Sequence, residues 1–287
     1  MSRMRRGGWP LVSRRRLAGL LISHLVLIAG AIAGPSEVAL AQISAPGKEL
    51  RIDADQGLEW QRREKIVIAR GNAQAVRGEL KVQAHELRAL YREGADGNSE
   101  IFRIIAIGAV RLFSANQTAY GGHAVYDVDR DRLLLTGGER VRLESGKNEI
   151  SAKQSLEYWP TSDRLIATGD AVAIQPDRQI YGDTITAYFT KGVDGQRMLS
   201  TAEAEGNVKV VTADETIHSD QGNYDAKSGI ATVTGSVKIL RDGDQLDGCR
   251  GQMDFNTGVS RLFSCEPSAP NIGRVRGRIQ IENDSGG

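Results

Sequence analysis

The chain is short of aromatic residues, which make up 5% of its 287 positions, and it carries only 4 histidines, 2 cysteines and 7 prolines. So few aromatics leave Val, Ile, Leu and Ala to fill any core. The pair of cysteines is too small a set for a disulfide-framed miniprotein, and with no His or further Cys beside them they do not read as a zinc site. Beyond the first 41 residues there is no stretch of convincing helical period. Also missing are a phosphate-binding glycine loop, a nucleophile elbow and a carboxylate pair spaced for acid–base work. No catalytic residue, metal site or cofactor is expected.

A basic surface is missing too. Arg3, Arg5, Arg6, Arg14, Arg15 and Arg16 precede residue 42, as does the acid Glu37. Removing that segment turns a net charge of +1 into one near -4, because 6 of the 37 bases and 1 of the 36 acids go with it. This excludes a nucleic-acid footprint. The segment itself has the order of a secretory signal: arginines, the apolar run LAGLLISHLVLIAGAIAG over Leu17 to Gly34, then Ala39-Leu40-Ala41 before Gln42. Residues 1–41 are therefore expected to be a signal peptide cleaved after Ala41, followed by a linker over 42–50. Its SRRRLAG stretch resembles a twin-arginine export signal. A retained membrane anchor is the alternative, since the apolar run is just long enough to span a bilayer.

What the chain has in plenty is glycine, 33 residues, and the glycines recur in one context. RGNAQAV, IGAVRLF, GGERVRL, TGDAVAI, EGNVKVV and TGSVKIL surround Gly71, Gly108, Gly137, Gly169, Gly206 and Gly235, at intervals of 37, 29, 32, 37 and 29 residues. The intervals repeat, so a shift of 98 residues carries Gly71, Gly108 and Gly137 onto Gly169, Gly206 and Gly235. The same shift carries Ile52 onto Ile150, Gln56 onto Gln154 and Tyr126-Asp127 onto Tyr224-Asp225. Two tandem halves follow, over residues 51–151 and 152–265, with a carboxy-terminal strand and tail over 266–287. ELKVQAHELRALY, Glu79 to Tyr91, could pass for a helix, but its counterpart 98 residues on contains IYGDTITAYF, which is rich in β-formers. Both copies are expected to be strands. Each repeated glycine lies between two apolar strands, where the chain bends or takes positive φ. The fold class is all-β, an elongated structure of repeated short antiparallel strands.

With a cleavable signal, the recurrent A-x-G-x-V-x-V element, QIYGDTITAYF over Gln179 to Phe189 and A-E-G-N-V from Ala204, the chain resembles the LptA/OstA family of periplasmic lipopolysaccharide-transport proteins. The resemblance runs from about Arg51 to Phe263. It implies an open, OstA-like β-jellyroll in the periplasm whose groove takes the acyl chains of lipopolysaccharide. The implied partners are an LptC-like inner-membrane component, an LptD-like outer-membrane component and further copies stacked end to end through sheet edges. It implies a carrier and no enzyme. The competing readings are an anchored LptC-like relay subunit and a secreted β-solenoid enzyme acting on polysaccharide.

Alternation after the repeated glycine gives an interior set: Val110, Leu112, Val141, Leu143, Val172, Ile174, Val208, Val210, Val237 and Ile239, joined by Ile185, Ala187 and Phe189. Each alone could be plain core; together they are the expected lipid-facing wall. Cys249 and Cys265 lie symmetrically about Thr257 in a hairpin signal, and residues equidistant from a turn face each other, so they are expected to pair; two free thiols are the alternative. Arg274, Arg276 and Arg278 share one face of a final strand, either to contact phosphates or an acidic partner edge, or to discourage edge pairing. His85, His123 and His218 have no matching partners in the other half, so no duplicated ligand set emerges. Mass spectrometry of the exported protein is expected to give a mature chain beginning at Gln42; a retained amino terminus is the outcome for the anchor.

Overall fold

The computed structural model describes residues 50–95, 97–114, 116–192, 197–265 and 274–280; the expected signal peptide and cleavage site lie outside them. Among these residues, no helix is long and apolar enough to cross a membrane. The strands run β1 (Arg51–Asp53), β2 (Gly57–Gln61), β3 (Ile66–Arg77), β4 (Leu80–Glu93), β5 (Ser99–Ser114), β6 (Gln117–Asp127), β7 (Arg132–Thr136), β8 (Val141–Ser145) and β9 (Asn148–Ala152). They continue with β10 (Ser155–Trp159), β11 (Arg164–Gln175), β12 (Arg178–Lys191), β13 (Arg197–Thr212), β14 (Thr216–Asp225), β15 (Ile230–Arg241), β16 (Asp244–Asp254), β17 (Val259–Phe263) and β18 (Arg276–Arg278). All belong to one 18-stranded antiparallel sheet in which consecutive long strands pair as hairpins. The helix-like stretch from Glu79 is strand β4, as its counterpart argued.

Strand bounds repeat as the sequence does: β3, β4 and β5 start at 66, 80 and 99, and β11, β12 and β13 start at 164, 178 and 197, each 98 residues later. The ends of the sheet and its middle are made differently. There, two short strands share the edge of one long strand: β1 and β2 on β3, β7 and β8 on β6, β9 and β10 on β11, β17 and β18 on β16. The expected division after Ser151 falls within β9, which pairs with both β8 and β11, so hydrogen bonding runs unbroken across it.

The repeated glycine is where each long strand breaks step. In β13, Glu205 faces Gln221 and Val208 faces Ser219, so Gly206 and Asn207 together oppose the single Asp220. This is a two-for-one bulge, which sharpens twist and bends the strand. Gly206 has φ +70° and Asn207 +50°, both left-handed. The Asn207 Nδ2 amide donates to both oxygens of Asp183, at 3.1 and 3.0 Å, which holds the bend from the neighbouring strand. A Cβ on Gly206 would overlap that carboxylate. Only glycine fits the dihedral and the space at once. In the first half, His85 covers Gly108 in the same way, which gives this histidine a packing role.

Bending lets one strand supply two facing arms. Ala204 and Val208 flank the bulge of β13 and are both buried, and the same holds for Ala69 and Ala73 on β3. The interior is a cluster of aliphatic side chains running from Ala69 to Val208, continued by a smaller one around Ile217, Val233, Val237 and Met253. Cys249 and Cys265 are joined, their Cα atoms 4.9 Å apart. Their hairpin differs in one detail from the sequence expectation. Asp254 faces Val259, so the pairing is centred between Asn256 and Thr257 and the cysteines are offset by one residue. The Asp254 carboxylate accepts from the backbone N–H of Asn256 and Thr257, closing a four-residue turn rather than one centred on Thr257. Of the three tail arginines, Arg276 and Arg278 lie in β18, opposite Asp247 and Gln245 of β16, and Arg274 precedes the strand.

Gly206→Ala is expected to cost about 1–3 kcal/mol, since an alanine must hold a left-handed dihedral and displace Asp183. Gly222→Ala serves as the control, because its Cβ would meet Val208 at an ordinary 3.5 Å. Denaturant unfolding of both variants checks the difference.

Candidate functional site

A cavity of about 260 Å³ lies between the arms of the bent strands. One wall carries Leu143 of β8, Ile150 of β9, Ala173 of β11, Ile180 of β12 and Val208 and Val210 of β13. The other carries Leu133 and Leu135 of β7, Leu156 of β10, Leu165 of β11, Ile185, Ala187 and Phe189 of β12, and Ala202 and Ala204 of β13. β11, β12 and β13 each contribute to both walls: β11 and β13 bend at their bulges, and β12, paired between them, bends with them. The apolar part of the lining is mainly aliphatic, with Tyr158, Phe189, Tyr224 and Phe255 as its aromatic members. Polar side chains, among them Asn148, Glu149, Gln175, Arg178, Arg197 and Glu203, border it.

The expected interior set divides three ways. Leu143, Ile174, Ile185, Phe189, Val208 and Val210, with Ala187, border this cavity. Val110, Val141, Val237 and Ile239 are buried in packed core, and Leu112 lines a second cavity of about 30 Å³ in the first half. Val172 is a correction. Ala171 is 1% exposed and Ala173 packs on the core, so alternation turns Val172 to the outer face. There it lies opposite Tyr181, whose ring takes the Lys209 ammonium at 4.3 Å. The reason is register: the buried position is the second after the repeated glycine, which is Val208 after Gly206 but Ala171 after Gly169. Ile174 shares Val172's side of the strand and reaches the cavity only near the strand's end.

Leu133, Leu135, Leu156 and Leu165 were not in the expected set. Their signal is alternation within DRLLLTG, QSLEYW and DRLIATG, counted on the strand before the glycine rather than after it. Arg178 and Arg197 carry no comparable signal. The Arg197 side chain is 10% exposed and its Nε donates to Asp163 at 2.5 Å. Arg178 is held by the Asp177 carboxylate at 2.6 Å and stacks on Phe255, 4.1 Å from the ring centre. The hydrogen bond from Arg178 holds the Asp177 carboxyl below the usual carboxylate range. Among the described residues, no group of three or more His, Cys, Asp or Glu is placed to hold a metal ion.

Tyr158 stands apart. It is 5% exposed and its hydroxyl has no hydrogen-bond partner among the described residues. Burial pushes the phenol above its ordinary range. The cavity thus offers apolar surface from which water can be excluded, and few directional groups.

The family model described as LptA/(LptD N-terminal domain) LPS transport protein matches the chain twice, over residues 51–158 and 149–259. Among solved structures, LptH, described as the LptA homologous periplasmic component of the conserved lipopolysaccharide transport device from Pseudomonas aeruginosa, is similar to it at 15% identity and a TM-score of 0.41. That match covers 47% of this chain and 95% of the other. No curated protein matches the sequence.

Tyr158→Phe is expected to leave the protein as stable or to raise its unfolding free energy by about 1 kcal/mol, because it removes an unpaired buried hydroxyl while keeping the ring. Equilibrium unfolding in denaturant measures it.

Proposed function

The chain belongs to the LptA/(LptD N-terminal domain) LPS transport protein family, and on that footing we propose that it is a periplasmic lipopolysaccharide carrier, holding acyl chains between the walls of its bent sheet. The observation that carries this reading is the cavity, aliphatic on both walls and formed by the arms of single strands. An acyl chain gains about 0.8 kcal/mol for each CH2 withdrawn from water, so such a surface binds lipid without catalysis and without a cationic protein. The protein acts by binding and release.

The edges of the sheet support a bridge reading. At the amino-terminal edge, Leu58 and Trp60 of β2 are 58% and 61% exposed. They lie opposite Ala69 and Val67 of β3, on the side where Ala69 is buried, so the apolar interior face continues to the edge of the molecule. A strand from a second copy or from an LptC-like or LptD-like component can pair there by β-augmentation and extend the same face. In this arrangement lipid passes from the inner to the outer membrane along a shared apolar path.

The test is photo-crosslinking in cells. A crosslinking residue at Val208 is expected to give covalent lipopolysaccharide adducts, and one at Val172, on the outer face of the same sheet, to give none. Adducts from Val172 with none from Val208, Ile185 or Leu156 would overturn the carrier reading.

A further inference from the structure

The two halves differ at one buried position in a way that core packing does not account for. Leu80 opens β4 and is 2% exposed, bordering the 30 Å³ cavity together with Tyr126. Its counterpart 98 residues later is Arg178, which opens β12 and borders the 260 Å³ cavity together with Tyr224, the counterpart of Tyr126. The first half closes this site with leucine against tyrosine, although Arg77 borders the small cavity from the preceding hairpin. The counterpart position, at a cavity lined from both halves, carries an arginine instead.

Arginine at such a place is costly unless its charge is used, because a guanidinium withdrawn from water needs partners. The Arg178 side chain is 15% exposed. Its guanidinium is fixed by two rings, Phe255 at 4.1 Å and Tyr224 at 5.8 Å. Both come from the ends of strands on the far side of the sheet, Tyr224 near the end of β14 and Phe255 just after β16. Arg178 itself follows the exposed turn at Pro176 and Asp177. These positions put the guanidinium at the cavity's rim, where apolar wall meets water. Stacking holds the plane of the fork while leaving its N–H edge for an anion. The anion now on that edge is Asp177, whose side chain is 63% exposed. The carboxylate takes the fork with both oxygens, Nε donating to Oδ1 at 3.2 Å and Nη2 to Oδ2 at 2.6 Å, the geometry another oxyanion would adopt, and only its own side of the pair is open to solvent.

We propose that Arg178 is an anion-recognition residue for the lipid: it binds the phosphate, or a carboxylate, of an amphiphile whose chain lies in the adjacent cavity, displacing Asp177. This rests on the reading of the cavity as an acyl-chain site and specifies its ligand as an anionic amphiphile. The aliphatic walls attract any alkyl chain, while the guanidinium selects the charged head and sets where along the chain it stops. A planar fork suits the two oxygens of a phosphate or carboxylate.

Titration calorimetry of the exported protein with dodecyl phosphate and with uncharged dodecyl maltoside, both below micelle formation, tests this. Dodecyl phosphate is expected to bind about tenfold more tightly, the scale of one charge-assisted contact. Arg178→Met is expected to reduce that preference to about twofold or less, with circular dichroism and the denaturant midpoint reporting an intact fold. Asp177→Asn, which alters no buried side chain, is expected to tighten dodecyl phosphate about threefold and leave the maltoside unchanged, by removing the competitor. The proposal is overturned if Arg178→Met keeps the preference, if Asp177→Asn leaves phosphate binding unchanged, or if inorganic phosphate alone displaces dodecyl phosphate, which would make Arg178 a free-anion site. Failure of either amphiphile to bind the unaltered protein overturns the acyl-chain reading itself, a result distinct from loss of head-group preference.

Discussion

The structure depends on a bend made at each bulge by left-handed backbone. Each long strand with a repeated glycine carries one residue more than its neighbour at that point, and the extra residue turns a flat ribbon into two facing arms. In β13 the pair Gly206–Asn207 makes the turn and Asp183 of β12 locks it. Because all the bends stack in one continuous sheet, their arms line up as two walls. Core, cavity and exposed edge follow from that alignment: where the walls touch there is packed aliphatic core, where they part there is a cavity, and where the strands stop the interior face comes to the surface at Leu58 and Trp60.

How far the walls part is decided by side chains, since the backbone repeats. Leu80 and Tyr126 border a cavity of about 30 Å³ within the first half, whereas Arg178 and Tyr224 border one of about 260 Å³ that is lined from both halves. The walls are therefore filled in the first part of the sheet and part where the two halves meet. Buried large aromatics would work against this division, because each fills 150–250 Å² of contact surface with a rigid plate. The scarcity of Trp, Tyr and Phe leaves walls of small and branched side chains, with most of the aromatics at strand ends and rims.

Strand content, the 98-residue repeat and the role of glycine were all legible because they are local or periodic. Counting from glycine also placed Val110, Val208 and Val237 inside. The same counting, applied strictly, places Ala171 inside and Val172 outside; matching apolar letters instead of positions slipped the register by one, which reverses the face of every residue on the strand. The wall before the glycine, with Leu133, Leu156 and Leu165, was readable from the same alternation. Arg178 was not, because its setting is made by Phe255, 77 positions away in sequence, and by Tyr224, brought close only by the closing of two walls. The cysteine pair shows the middle case: symmetry about Thr257 brought the right residues together, but the Asp254-capped turn moved the true centre by half a residue.

A carrier must hold its cargo and also let it go, and on the proposed reading the two kinds of contact divide that work. Contacts between methyl groups are non-directional and nearly equal at neighbouring positions, so a chain can slide along an aliphatic wall with little barrier while its total burial keeps it from water. A guanidinium contact is directional and has one best position. Sliding alone would leave the lipid without register, and a buried, saturated ion pair would hold it too long. Arg178, stacked on two rings yet paired with an exposed and replaceable carboxylate, lies between these limits: the anion that leaves it is at once replaced by Asp177, so release does not strand an unpaired charge at the rim.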